Sequence, residues 1–125
     1  MSLPIRVTVC LLGALILAPG LAPAQQCPGM TTQQIAFAKE RLAVGDTAIG
    51  LTPSIYKPSG ITPTLAMVSV EGGVIRYEVV GMPTATDGHP GTGTFPICGL
   101  DNIAAFKAIR VGADAQLIIT YYKAK

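Results

Sequence analysis

The chain has 125 residues, half of them hydrophobic and only 13% charged, with nine Lys or Arg against seven Asp or Glu. So even a balance leaves no electrostatic footprint for nucleic acid or for an anionic membrane surface. The length suits one domain with one core.

Residues 1–24 read MSLPIRVTVCLLGALILAPGLAPA. Arg6 makes the start positive, residues 7–18 form an apolar core too short to span a bilayer, and Ala22-Pro23-Ala24 is a small-x-small cleavage signal before Gln25. This predicts a secretory signal peptide over residues 1–24 and a mature domain over 25–125. A lipoprotein site is disfavoured, because Gln25 and Gln26 precede Cys27 where that site needs small residues. No later apolar run approaches spanning length, so no membrane span is expected after cleavage. Cys10 leaves with the signal, and Cys27 and Cys98 remain as an even pair in an oxidising compartment. Far apart in the chain, with one distant histidine, they make neither a Cys-x-x-Cys nor a zinc set. They are expected to form a structural disulfide.

Beyond Cys27 the chain reads as short strands joined by Gly/Pro turns. In IAFAKERLAVG, residues 35–45, the Ala, Glu, Lys and Arg favour a helix that Thr31 or Thr32 could cap. The run of Glu40, Leu42 and Val44 into the next turn favours a strand from about 39 to 44, with a short helical turn before it as the rival. A short strand is expected at 47–52, and a proline-rich loop at 53–63. Residues 64–72, apolar on both faces, predict an inner strand. Glu71-Gly72-Gly73 reads as a hairpin turn to VIRYEVV, residues 74–80, with Ile75, Tyr77 and Val79 inward and Arg76 and Glu78 outward. Residues 81–93, GMPTATDGHPGTG, hold too much Gly, Pro and Thr for a regular element. Pro96 marks 94–100 as an edge strand or a bulge. Residues 101–112 begin with Asp-Asn turn chemistry and end as a strand, with a kink or bulge expected between Phe106 and Ile109 if both are buried. QLIITYY, 116–122, is the last strand, with Leu117, Ile119 and Tyr121 on one face, and the final KAK is expected to fray. The sum is an all-β fold, a small antiparallel β-sandwich of Ig-like type with six or seven strands.

Chemistry is sparse in this pattern. His89 sits beside Asp87 in the turn-rich segment, yet Ser54, Ser59 and Ser69 are in no nucleophile-elbow setting, and an Asp-x-His pair lacks a third ligand of the usual kind. The run GTGTFP puts Pro96 where the third glycine of a dinucleotide loop belongs, and no phosphate-loop lysine follows. Glu71, Glu78, Asp87 and Asp101 are spread over turns and strands. With no Trp, a sugar-stacking platform would fall to Tyr56 and Tyr122, since Tyr77 and Tyr121 lie on apolar strand faces. No catalytic residue, cofactor site or metal site is therefore assigned. The candidate recognition loop consists of Thr84, Thr86, Asp87, His89 and Thr92, because loops on a rigid scaffold carry binding.

The runs ERLAV, AIGLTPSIY, VEGGVIRYEV, PTATDGH and AFKAIRVGADAQLIITYY, spread over residues 40–122, resemble a family of small β-rich proteins in the structural-gene modules of tailed phages and prophages. A looser resemblance is to the Ig-like C-terminal accessory domains of chitobiase-type enzymes, which share a Tyr-x-x-Asp-Gly-x-x-Pro-Thr turn. Both likenesses imply a non-enzymatic module, and neither carries a catalytic residue. Val80-Gly81-Met82 departs from the phage pattern, which has Asp-Gly before Pro-Thr. A signal peptide and a cysteine pair are also unusual in a virion component assembled in the cytoplasm. The expected function is a structural or decoration-type module, here exported to a secreted or periplasmic location. The alternative is an extracytoplasmic binding module for a glycan or a protein. A protein partner or self-association is expected, and no nucleic acid.

Overall fold

The computed structural model describes residues 27–30 and 32–125; the expected signal peptide and the candidate cap Thr31 lie outside the described residues. Two four-stranded antiparallel sheets share one core. The first has the order β1 (Gln34–Val44), β8 (Ala115–Ala124), β3 (Leu65–Glu71), β6 (Thr94–Cys98). The second has the order β2 (Ile49–Gly50), β7 (Lys107–Val111), β4 (Val74–Glu78), β5 (His89–Gly91). The described chain thus holds eight strands, more than the six or seven expected, because the turn-rich segment contributes β5; residues 35–38 lengthen β1 without adding a strand.

Period-two patterning builds the core. Leu117, Ile119 and Tyr121 of β8 face inward in register with Val70, Val68 and Ala66 of β3 on one side, and with Leu42, Glu40 and Ala38 of β1 on the other. Leu117, Ile119, Tyr121, Val68 and Ala66 are fully buried. The second sheet closes the core with Ile75 and Ala108. The 35–44 ambiguity resolves as strand. Pairing of β1 along nearly the whole of β8 overrides the helical propensity of its Ala, Lys, Glu and Arg, with a bulge at Phe37.

The expected hairpin across Glu71-Gly72-Gly73 does not form. β3 already has β8 and β6 on its two sides, so the chain crosses to the other sheet and β4 pairs with β5 and β7 instead. Glycine is needed here for the crossing: Gly72 has φ 78°, and a Cβ on Gly73 would stand 3.0 Å from the carbonyl oxygens of Ala113 and Asp114. In β4, Ile75 is buried as expected, while Tyr77, Arg76 and Glu78 are all half-buried, as is Val79 just beyond the strand.

Four local expectations also change. The 53–63 loop contains a single helical turn, α1 (Pro53–Tyr56), begun by Pro53 at its first position. Tyr56, expected to be free, is buried on Tyr121 with ring centroids 5.9 Å apart. The Asp-Asn turn is a short helix, α2 (Leu100–Ala105), so the spacing of Phe106 and Ile109 reflects a helix-to-strand junction and not a kinked strand. The C-terminal KAK does not fray: β8 runs to Ala124, opposite Gln34, and the Lys125 N–H donates to the Gln33 carbonyl at 2.9 Å. Pro96 does mark an edge strand, β6.

Cys27 and Cys98 are joined, with Cα atoms 5.6 Å apart, well within bridging range. The bond ties the leader to the end of β6, and Cys27 is buried. No helix of the described residues is long and apolar enough to cross a membrane.

Candidate functional site

Segment 81–93 divides into a built turn, the strand β5 and a short exit. Pro83 is buried against Gly88, where a Cβ would meet Pro83 Cβ at 3.2 Å and Arg76 Cβ at 3.3 Å. The Thr84 N–H donates to the Asp87 carbonyl at 2.8 Å, and the Asp87 N–H returns to the Thr84 carbonyl at 3.3 Å. Thr84 Oγ1 accepts from the N–H groups of Asp87 at 3.0 Å and Thr86 at 3.3 Å. Such side-chain capture of nearby amides is the usual reason for threonine in turns. Arg76, on the outward face of β4, reaches over this turn. Its Nη1 donates to the Gly88 carbonyl at 2.8 Å and its Nε to the Ala85 carbonyl at 3.3 Å. The turn is thereby fastened to the second sheet, and it leaves Val80 85% and Met82 63% exposed at its base.

Of the five recognition residues, Thr84, Thr86 and Asp87 come together in this turn. His89 does not join them. It is drawn into β5 opposite Tyr77, its ring 5.6 Å from the Tyr77 ring and its Nε2 4.0 Å from Glu78 Oε2. Thr92 follows β5, outside the turn, and is exposed. Tyr77 continues the aromatic stack inward, on Phe95 at 4.5 Å and Phe106 at 5.6 Å. Burial, and secondarily the adjacent Glu78 charge, raises the Tyr77 phenol above its ordinary range. His89 is hydrogen-bonded to none of the serines, and Ser69 pairs instead with Thr94 at 2.8 Å. The described residues therefore assemble no nucleophile–base relay at His89. They also contain no group of three or more His, Cys, Asp or Glu placed to hold a metal ion.

Among the described residues, a buried carboxylate lies in the core, where no sequence motif pointed. Glu40, only 6% exposed, faces inward from β1. Its Oε1 accepts a hydrogen bond from the Tyr121 hydroxyl and another from the Thr52 N–H at 3.1 Å. Desolvation first, and then the hydrogen bond to Glu40, holds the Tyr121 phenol far above its ordinary range. The cluster ties β1, β8 and the start of α1 into one unit. Its signal was parity: Glu40 shares the inward phase of Leu42 and Val44. At the opposite end of the fold from Cys98, an open hollow of about 400 Å³ is lined by Ala43, Glu71, Gly72, Asp114, Ala115 and Gln116. Asp114 there is engaged by Arg110, whose guanidinium is raised by that hydrogen bond first and by the Asp114 charge second.

Comparison of the chain with protein-family models, with curated proteins and with solved structures gives no match.

Proposed function

We propose that the chain is an exported, non-enzymatic structural module of decoration type, related to tailed-phage structural proteins and working through a protein partner. The observation that carries this reading is the fastened 79–88 turn. Arg76 and Thr84 hold its backbone while Val80 and Met82 stand in solvent. An ordered turn with exposed apolar residues at its base binds without a large ordering cost, as a rigid paratope does. The disulfide supports an oxidising destination, and the resemblance of residues 40–122 supports a virion-like ancestry. Co-sedimentation tests the role: the full chain, tagged and expressed in its source organism, should travel with assembled particles or envelope complexes. Val80→Ser with Met82→Ser should release it to the unassembled fraction. Recovery of the wild-type chain only as a free monomer would sink the decoration role.

A further inference from the structure

Each sheet has two edges, and three of these four are poorly suited to a further strand. β2 is two residues long, β5 is three with Pro90 at its middle, and β6 carries Pro96 at its centre and the disulfide at its end. Short edges offer few groups, and proline offers no N–H. β1 differs. Its eleven residues contain no proline, and beyond the bulge at Phe37 residues 38–44 pair with β8 without interruption. Among the described residues, no element other than β8 hydrogen-bonds to the backbone of 38–44. Alternate residues of this edge therefore present unpaired N–H and C=O groups outward.

The side chains along that edge say what would pair with it. Those on the solvent face are Lys39, Arg41 and Ala43, in register with Thr120, Ile118 and Gln116. Arg41 Nη1 donates to Gln116 Oε1 of β8 at 2.8 Å, a neutral partner that leaves its charge uncompensated on the solvent face. The two cations stand about 7 Å apart, two residues along one strand face. A strand laid antiparallel on β1 brings its own solvent-face side chains within about 5 Å of them. A second copy of β1 paired about Glu40 would set cation against cation, which destabilises a ladder. We infer that the outer edge of residues 38–44 is an acceptor for an extended acidic strand of a protein partner. Carboxylates at alternate positions of that strand lie opposite Lys39 and Arg41, and its main chain completes the ladder. The edge is preformed, because the Glu40–Tyr121 hydrogen bond and the unbroken pairing of 38–44 with β8 hold β1 on the sheet before any partner arrives.

This goes beyond the role proposed above and does not use the 79–88 turn, so the two fail separately. The test titrates the full, oxidised, isotope-labelled chain with a short peptide alternating glutamate and valine, and with the same peptide carrying lysine for glutamate. Amide shifts should concentrate at 38–44 and with the glutamate peptide only. Lys39→Glu with Arg41→Glu lies on the solvent face and should leave the spectrum folded. It should weaken the glutamate peptide by about tenfold or more and gain the lysine peptide. Equal binding of both peptides, shifts centred elsewhere, or no shifts at all would overturn the assignment. So would a wild-type dimer whose interface maps to 38–44, which would give the edge to a second copy.

Discussion

The two sheets are built from the same kind of strand but hold together differently. In the first, β8 runs between β1 and β3 with ten and seven paired residues, and its inward side chains are fully buried. In the second, β7 and β4 pair over five residues, β2 and β5 add two and three, and most β4 side chains are half-buried. The long sheet carries the disulfide and the Glu40–Tyr121 bond; the short one carries the fastened turn and His89. Pairing and burial are concentrated in one layer and the fastened turn lies on the other, so local opening energies should differ between the two.

The largest way to erase that contrast is to remove the disulfide. Cys27→Ser with Cys98→Ser opens a loop of 71 residues, worth about 4 kcal/mol in the chain-entropy account. Amide exchange should rise first at residues 27–30 and along β6, then throughout. Slow exchange retained at β6 would show that the strand pairing alone secures this edge. Next in size are the core truncations. Leu117→Ala and Ile75→Ala both remove fully buried side chains, and each should cost about 3 kcal/mol by denaturant titration. The two sites differ in how far they can relax. The Leu117 site is walled by Leu42 and Val70 on both neighbouring strands and should keep its cavity. The Ile75 site faces Gly91 across β5 and can collapse, so its loss should be the smaller.

The Tyr121 phenol gives the contrast a pH dependence. Its folded pKa lies above the unfolded value of about 10, so the neutral phenol's contribution is intact below that pH and is lost as pH rises beyond it. Denaturant midpoints should be level through neutrality and fall in alkali. Tyr121→Phe should flatten the alkaline limb yet lower stability at neutral pH by about 1–3 kcal/mol, because Glu40 stays buried with one donor fewer. An alkaline limb unchanged in Tyr121→Phe would assign it to another group, with half-buried Tyr77 the first to examine.

Strand alternation at β4 and β8 was legible because period two is a local property, and β3 was legible as an inner strand from apolar residues on both faces. So was the cysteine pair, from compartment logic and number. Partner choice was not. Gly72-Gly73 reads as a turn whether it closes a hairpin or crosses between sheets, and only the occupied flanks of β3 decide which. The start of β1 is hidden by side chains that favour a helix, and with it the partner of the C-terminal residues, so the tail looks frayed in the sequence alone. At the candidate site, threonine and Asp-Gly announce a turn. What fastens it, Arg76, looks like a plain outward charge, because its acceptors are main-chain carbonyls nine and twelve residues on.

The smallest effect separates the turn from the histidine beside it. Arg76→Ala removes both carbonyl contacts of the turn and the cover over Gly88, so segment 82–88 should lose protection. The global cost should be only about 1 kcal/mol, since these carbonyls lie near enough to the surface for water to replace the guanidinium. His89→Ala should do less. Its side chain is 67% exposed, and its contacts are one ring face and a carboxylate at 4.0 Å, a geometry that contributes little at the surface. The three-residue pairing of β5 with β4 is made by the backbone and survives the change. Stability should move by no more than about 0.5 kcal/mol, with the amides of 84–87 unshifted. If His89→Ala loosens the turn as much as Arg76→Ala does, then β5 and the turn are one unit, and the division drawn between them is wrong.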